Sequence, residues 1–319
     1  MQRTLSSQIK NHINSKVRIV GWLYKKRELG GMTFLLIRDR HGLSQALIEQ
    51  GSEIEKLQGL QNGTVLEITG TVVEDERAPG GVELHECQIE VLVSVEAVAP
   101  IEIDKPIDHS PENLETLFEN KVANMRNITE QGIWKIQAAV SDAMREYLKS
   151  QDFTEFHSPK LLAEATEGGA EVFELDYFGK KATLAQSAQF YKQIFVGSLE
   201  RVFEFGATYR AEPSMTTRHM TEFVTLDVEV GFINGLDDLM GLLSGLINFT
   251  VEKVWKDKET ELLGMGATKP VLREEFPAIT LQELHELYLK ETGEDKTSEK
   301  DPTPAEERWI SEYSAKEWG

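Results

Sequence analysis

The chain has 319 residues, 40% of them hydrophobic, and a formal net charge of −20. That length allows two domains with apolar cores. No apolar run is long enough to span a bilayer, and the opening MQRTLSSQIKNH does not read as a signal peptide, so a soluble cytoplasmic protein is expected. The single cysteine, Cys87, excludes an internal disulfide framework and a multi-cysteine zinc site, and reads as a partly buried strand residue. The charge is uneven. Residues 1–45 carry nine Lys/Arg against two Asp/Glu, a local +7, while the acidic excess falls later, notably over 252–317. A basic segment on an acidic chain can supply phosphate contacts, although an ordinary solvated face stays open at this point.

In chain order, strand-like runs occupy Val17–Leu23, Thr33–Arg38, Ser44–Glu49, Thr64–Val73 and Gln88–Ala97, with a helical segment over Glu53–Leu60. Gly30-Gly31, His41-Gly42, Asn62-Gly63 and Pro79-Gly80-Gly81 punctuate them as turns. Five short strands and one intervening helix suit a small barrel of the OB type. The proline-bearing connector 100–111 marks a boundary, giving a barrel over 1–100, a linker over 101–125 and a second domain over 126–319. Next comes a helix over Thr129–Ser150, with an apolar stripe of Ile133, Ile136, Val140, Ala143, Met144, Tyr147 and Leu148. A short strand around Thr154–Ser158 stops at Pro159, and helices are expected over Gln189–Leu199, Leu236–Trp255 and Leu281–Glu291. Thr297–Ala305 is a polar stretch, and a final helix precedes the last residues.

The richest segment is Arg201–Phe232, read as two alternating strands joined by a polar loop. Phe203, Phe205, Ala207 and Tyr209 share one face of the first strand, opposite Glu204, Thr208 and Arg210. In the second, Val224, Leu226, Val228, Val230 and Phe232 lie opposite Phe223, Thr225, Asp227 and Glu229. The polar face is expected to be free. From the pattern alone, a face that binds a charged ligand and a solvated amphipathic hairpin both remain open.

FGATYRAE, a basic loop ending TTRH, then TEFVTLDVE resembles the second signature motif of class II aminoacyl-tRNA synthetases, in particular the aspartyl/asparaginyl branch. FTEFHSPK, with Pro159, resembles the first motif, and GWLYKKRELGGMTFLLIRDRHGLSQ resembles the anticodon-binding barrel of these enzymes. The resemblance implies an OB-fold barrel followed by a catalytic domain built on an antiparallel sheet flanked by helices. It also implies ATP as a substrate, Mg2+, L-aspartate and tRNA as partners, and a homodimer formed through the first motif.

Residue by residue, the resemblance assigns Arg210 to the arginine that bridges substrate carboxylate and α-phosphate, where fixed positive charge stabilises the transition state. Glu212 falls on the adenine side, Arg218 and His219 on the outer phosphates, and Phe223 under the adenine ring. In QSAQFYK, Ser187 and Gln189 correspond to residues that hold the ammonium and backbone end of the amino acid. Lys192 corresponds to the lysine that meets the aspartate side chain, which asparaginyl enzymes lack. A buried carboxylate needs a cation, whereas a buried amide would leave one unpaired. Asp227 agrees, since Leu226-Asp227-Val228-Glu229 follows the aspartyl I-D-x-E and not the asparaginyl E-P-E. Read alone, Lys192 could equally be an exposed helix lysine. Glu167, in ATEGGA, corresponds to the acid of the loop that closes over the amino acid. In the barrel, Phe34 would stack an anticodon base, Gln45 and Glu90 would read base edges, and Arg27 would approach backbone or base. Tyr24 and Gln88 lie where strict and relaxed members differ and match no strict pattern, which leaves tRNA(Asp) alone and tRNA(Asp) with tRNA(Asn) both open.

The family's third motif, a G-x-G-x-x-R segment whose arginine clamps ATP, has no counterpart in this chain. The acidic pair that carries Mg2+, and a late arginine on the aspartate side chain, would likewise lie beyond residue 319. A fragment of a longer reading frame is the preferred expectation over a truncated paralogue, and the 319 residues alone are expected to fold imperfectly and form no adenylate. Two other functions follow from the same residues: an asparagine–tRNA ligase, or an inactive paralogue that binds RNA through the barrel.

Overall fold

The computed structural model describes residues 1–49, 51–105, 114–166, 171–212 and 220–318, with Ser52 described by its backbone alone. Contacts between Cα positions divide the chain into two compact units. One holds 1–136 with 260–266, the other 137–259 with 267–319.

In the first unit, β1 (Lys16–Leu29), β2 (Met32–Arg38), β3 (Leu43–Ile48), β4 (Val65–Glu74) and β5 (Val82–Val93) close into a barrel in the order β1-β2-β3-β5-β4. Only β3 and β5 pair in parallel. Alternation builds the core: Leu66, Ile68 and Val72 of β4 point inward with Val17, Ile19, Leu35, Ile37 and Leu84, all at most 3% exposed. Two expectations shift here. The helical segment contracts to α1 (Ser52–Glu55), followed by turns. The last strand begins at Val82, six residues earlier than its apolar pattern suggests, and ends at Val93. Glu83 disguises that start: it is buried at 4% exposure because Gln45 Nε2 donates to its Oε2 at 2.8 Å and His85 Nε2 lies 2.7 Å from its Oε1. Cys87 is half-buried in β5, and burial pushes its thiol up to about 12, which leaves it unreactive. After the barrel, Ile101 and Ile103 bury with Leu117 of α2 (Leu114–Glu119), the short α3 (Lys121–Asn124) follows, and Lys25 pairs with Asp104 at 2.9 Å.

The second unit is built around β10 (Arg201–Tyr209) and β11 (Glu222–Val230), antiparallel from Arg201↔Val230 to Tyr209↔Glu222, with β6 (Thr154–Glu155) parallel to β10 on its other edge. On one face, Phe203, Phe205, Leu226 and Val228 pack with Met144, Tyr147 and Leu148 of α4 (Ile128–Ser150) and Leu242 and Leu246 of α6 (Leu236–Gly264). The helices approach closely at Gly245, where a Cβ would strike Tyr147 Oη. Against the other face lies α5 (Gln189–Leu199), whose Tyr191, Phe195 and Val196 pack with Val202 and Phe156. The polar face of the hairpin is therefore not free. Glu204 and Thr208 are each 1% exposed, whereas Val224 and Phe232, assigned to the core by alternation, are 65% and 89% exposed. Alternation gives the two faces; which one is covered depends on helices distant in sequence.

A second sheet, β7-β9-β8 (Leu161–Leu162, Lys180–Leu184, Glu174–Tyr177), has no counterpart in the sequence reading. Its hairpin turns at Phe178 and Gly179, both with positive φ, and Asp176 Oδ1 accepts the Gly179 N–H at 3.1 Å. α6 runs to Gly264, past the expected Trp255, with a kink at Lys258. α7 (Leu281–Thr292) and α8 (Pro304–Glu317) each start with a threonine capping box, at Thr280 and Thr303.

Candidate active site

The hairpin face that meets α5 holds the charged residues. Lys192, in the first turn of α5, places Nζ 3.5 Å from Asp227 Oδ1 and 3.6 Å from Glu229 Oε2, with its side chain 14% exposed. Asp227 is fixed from two further sides. The Ala188 N–H, at the start of α5, reaches Oδ2 at 3.4 Å, and Thr225 Oγ1 donates to Oδ2 at 3.2 Å. The helix N-terminus and the hydroxyl thus hold the carboxylate in place. Thr225 Oγ1 in turn lies 2.8 Å from Thr208 Oγ1 of β10. The two Lys192 contacts sit at or beyond the limit of a hydrogen bond, so they act mainly through charge.

Segment 185–188 is hung on the hairpin by its backbone. Tyr209 N–H donates to the Ala185 carbonyl and Ala185 N–H to the Lys160 carbonyl, both at 3.0 Å. That sets half-buried Ser187, whose Oγ accepts the Gln189 N–H at 3.0 Å, and half-buried Gln189 beside the start of α5. At the open end of the hairpin, exposed Arg210 places its guanidinium 5.7 Å from the centre of the Phe223 ring, and its N–H bonds the Thr221 carbonyl at 3.1 Å. Glu212 is half-buried just beyond. Partial burial, and then the nearby Glu222, raise the Tyr209 phenol above its ordinary value. The structure thus brings Ser187, Gln189, Lys192 and Asp227 to one end of α5, and Arg210 and Phe223 to the mouth of the hairpin. Glu167, Arg218 and His219 lie outside the described residues.

One constellation was not foreseen from the sequence. Glu204 accepts the Ser158 N–H at 2.6 Å, Ser158 Oγ–H at 2.7 Å and Lys160 Nζ at 2.9 Å, and Lys160 Nζ also reaches Ser158 Oγ at 3.0 Å. The available signal is the register: Glu204 stands directly opposite Asp227. Two carboxylates paired across a ladder require cations from elsewhere. Glu229, beside Lys192, was also not assigned.

On the barrel, Arg27 and Phe34 are directly paired across β1 and β2, exposed and half-buried respectively. Gln45 stands on the adjacent strand, opposite Leu36, and is held by Glu83. Exposed Glu90 sits on β5 opposite Glu67, where its charge acts on Arg18. Tyr24 is 9% exposed, and burial, then Asp104, push its phenol up; Gln88 is exposed opposite Thr69. Part of the basic excess is already paired, as in Arg18–Glu67 at 2.7 Å. Among the described residues no helix is long and apolar enough to cross a membrane, and no cluster of His, Cys, Asp or Glu could hold a metal ion.

Residues 113–318 match the family described as tRNA synthetases class II (D, K and N), and residues 17–92 match the OB-fold nucleic acid binding domain. The chain is 37% identical to the aspartate–tRNA(Asp/Asn) ligase of Deinococcus radiodurans, over 100% of this chain and 71% of that protein. It is 36% identical to the aspartate–tRNA(Asp/Asn) ligase of Thermus thermophilus, over 99% of this chain and 73% of that protein. Among solved structures it is similar to asparaginyl-tRNA synthetase from Pyrococcus horikoshii complexed with asparaginyl-adenylate. The TM-score is 0.84 at 30% identity, covering 98% of this chain and 72% of that one. Aspartyl tRNA synthetase from Entamoeba histolytica follows with a TM-score of 0.79 at 26% identity, covering 100% and 69%. With an OB-fold barrel leading into a synthetase domain, the chain belongs to the class II tRNA synthetases.

Proposed function

We propose that the chain provides the amino-acid side of an aspartate–tRNA ligase, which activates L-aspartate with ATP to aspartyl-adenylate and transfers the aspartyl group to the 3′ end of tRNA(Asp). The observation that carries this reading is Lys192. Its ammonium lies against α5 between Asp227 and Glu229, mostly buried and loosely held, so an incoming side-chain carboxylate can complete its coordination. A neutral asparagine amide would leave that charge poorly matched. The relatives named as aspartate–tRNA(Asp/Asn) ligases support the same reading.

In this site Ser187 and Gln189 hold the backbone end of the amino acid, and Glu167 closes over its ammonium. Arg210 fixes the substrate carboxylate and the α-phosphate, so that carboxylate oxygen and phosphorus meet in a near-attack arrangement. The adenine stacks on Phe223 with Glu212 at its edge, and Arg218 and His219 take the outer phosphates. Attack of the carboxylate breaks the α–β phosphoanhydride and releases pyrophosphate. Residues 1–100 form the anticodon-binding domain through Arg27, Phe34, Gln45 and Glu90, 101–125 the hinge, and 126–319 the catalytic portion. The enzyme acts in the cytoplasm as a homodimer, and tRNA(Asn) is a second substrate.

The test is aspartate and asparagine binding, by calorimetry, to the chain and to Lys192→Ala. Removing one partner of a desolvated charge pair costs about 2–5 kcal/mol. Aspartate affinity should therefore fall about 30-fold or more. A nearly neutral effect, with asparagine bound better than aspartate, would refute the aspartate reading and favour the asparagine one. Charging of tRNA(Asp) and tRNA(Asn) transcripts separates the strict from the relaxed enzyme.

A further inference from the structure

The pocket contains two lysines in opposite conditions. Lys192 touches its carboxylates at 3.5 and 3.6 Å. Lys160 is locked at 2.9 Å to Glu204 and 3.0 Å to Ser158. The two carboxylates stand side by side, because Glu204 and Asp227 are opposite one another in the β10–β11 register and so point to the same face. Such neighbours have Cβ atoms about 5 Å apart and repel when both are charged.

Glu204 is 1% exposed, and among the described residues its carboxylate accepts three hydrogen bonds, all from Ser158 and Lys160. The fold makes room for this arrangement at Gly206, the next residue of β10 on the same face. A Cβ there would lie 2.6 Å from Lys160 Nζ and 2.9 Å from Glu204 Cδ, so a larger residue would have to displace the ammonium or the carboxylate. The Lys160 backbone is tied in as well. Its carbonyl accepts the Ala185 N–H at 3.0 Å, three residues before α5 opens with Ala188 as its N-cap.

We propose that Lys160 is a positioning residue of the amino-acid pocket: it saturates Glu204, and so keeps that carboxylate from drawing Lys192 away from the substrate. The inference rests on Lys192 being the partner of the aspartate side chain. Without the Lys160 charge, Glu204 would be a buried carboxylate that has lost its cation, and Lys192 is the ammonium held at Asp227, the residue opposite it on the ladder. The amino-acid site would then lose its cation to an internal partner, while the Arg210–Phe223 end of the hairpin would be untouched.

Lys160→Gln, Lys160→Arg, Lys192→Ala and the double variant Lys160→Gln/Glu204→Gln decide the matter, each titrated separately with aspartate and with ATP by calorimetry on the full chain. Lys160→Gln should weaken aspartate about 10- to 100-fold, the scale of a misplaced contact in a site, and change ATP affinity less than about twofold. Lys160→Arg should restore most of the loss. The double variant should also recover aspartate binding, because a neutral Glu204→Gln side chain no longer competes for Lys192, and it serves as the folded control if Lys160→Gln is unstable. Equal losses for aspartate and ATP, or a double variant no better than Lys160→Gln, would show a merely structural brace and overturn the proposal. Should Lys192→Ala leave aspartate binding intact, the reading of the pocket fails instead. A large Lys192→Ala effect beside an inert Lys160→Gln overturns only the role of Lys160.

Discussion

In the barrel each of the five strands has two hydrogen-bonded neighbours, and one contiguous apolar cluster fills the interior. Among the described residues, β11 of the hairpin sheet has a single neighbour, and the main buried cluster holds Leu148, Phe153, Phe203 and Leu246. The sheet spends part of its interior on polar side chains, Glu204 and Thr208 among them, while the corresponding buried polar groups of the barrel, such as Glu83 and Thr64, sit at strand ends and turns. A self-closed core lets outward-facing residues such as Arg27 and Phe34 be chosen for a ligand at little cost to stability. The hairpin has no such separation, since the residues that would bind substrate also organise the sheet. Activity and stability are therefore coupled in the second unit and largely uncoupled in the first.

Core truncation tests this contrast most strongly. Phe203→Ala should cost about 3–5 kcal/mol and Ile68→Ala about 2–5 kcal/mol. Hydrogen exchange read peptide by peptide should show Phe203→Ala loosening β10 and β11 with the barrel still protected, and Ile68→Ala the reverse. Loss of protection everywhere in either variant would break the comparison. Next in size is Phe34→Ala, which should weaken binding of an anticodon stem-loop by about 1–3 kcal/mol per lost stacking contact while leaving aspartate affinity unchanged. An equal effect on aspartate would show that the two units are not energetically separate.

Smaller effects belong to α7 and α8. Thr303→Ala removes the cap whose Oγ1 accepts the Glu306 N–H at 3.3 Å and should cost about 1 kcal/mol. The buried His285 Nδ1 and Glu306 Oε1 are 2.5 Å apart, with the Glu299 carbonyl on the other ring nitrogen and the charge of Asp295 nearby. The Glu306 hydrogen bond raises His285 above its ordinary 6.5. Burial works to raise Glu306, but His285 and Thr303 outweigh it and hold the carboxyl below 4.5. The His285 contribution is thus complete below pH 6.5 and lost as pH climbs through its raised folded value. That of Glu306 is complete above pH 4.5 and lost as pH falls through its depressed one. Thermal melts followed by the fluorescence of Trp309, which stacks on Tyr313, should show this hairpin of helices strongest between those limits. A profile unchanged in His285→Ala would refute it.

How much of this was legible beforehand varies with the physics of each element. β1 to β4, α4, α5 and the β10–β11 pair follow from periodicity and turn residues, because in each the hydrophobic pattern and the local propensity agree. Gln189–Leu199 is found at its expected ends. The start of β5 was hidden because buried Glu83 is satisfied by partners distant in the chain, and β7 to β9 were hidden because their strands are short and mostly exposed. The grouping of Lys192 with Asp227 followed from the resemblance to the aspartyl enzymes. The Lys160–Glu204–Ser158 set did not, since a lysine after Pro159 and a glutamate in a strand acquire meaning only when the register places Glu204 beside Asp227.

That same register makes pairing errors in the hairpin self-revealing. Sliding β10 by one residue along β11 would turn Glu204 toward Leu148 and Leu246 and offer Phe203 to Lys160, so the misaligned hairpin could close on neither of its helical neighbours. The charges proposed to serve the ligand would thus also act as a checksum on assembly. A chain that folds at all has already verified the alignment on which its chemistry depends.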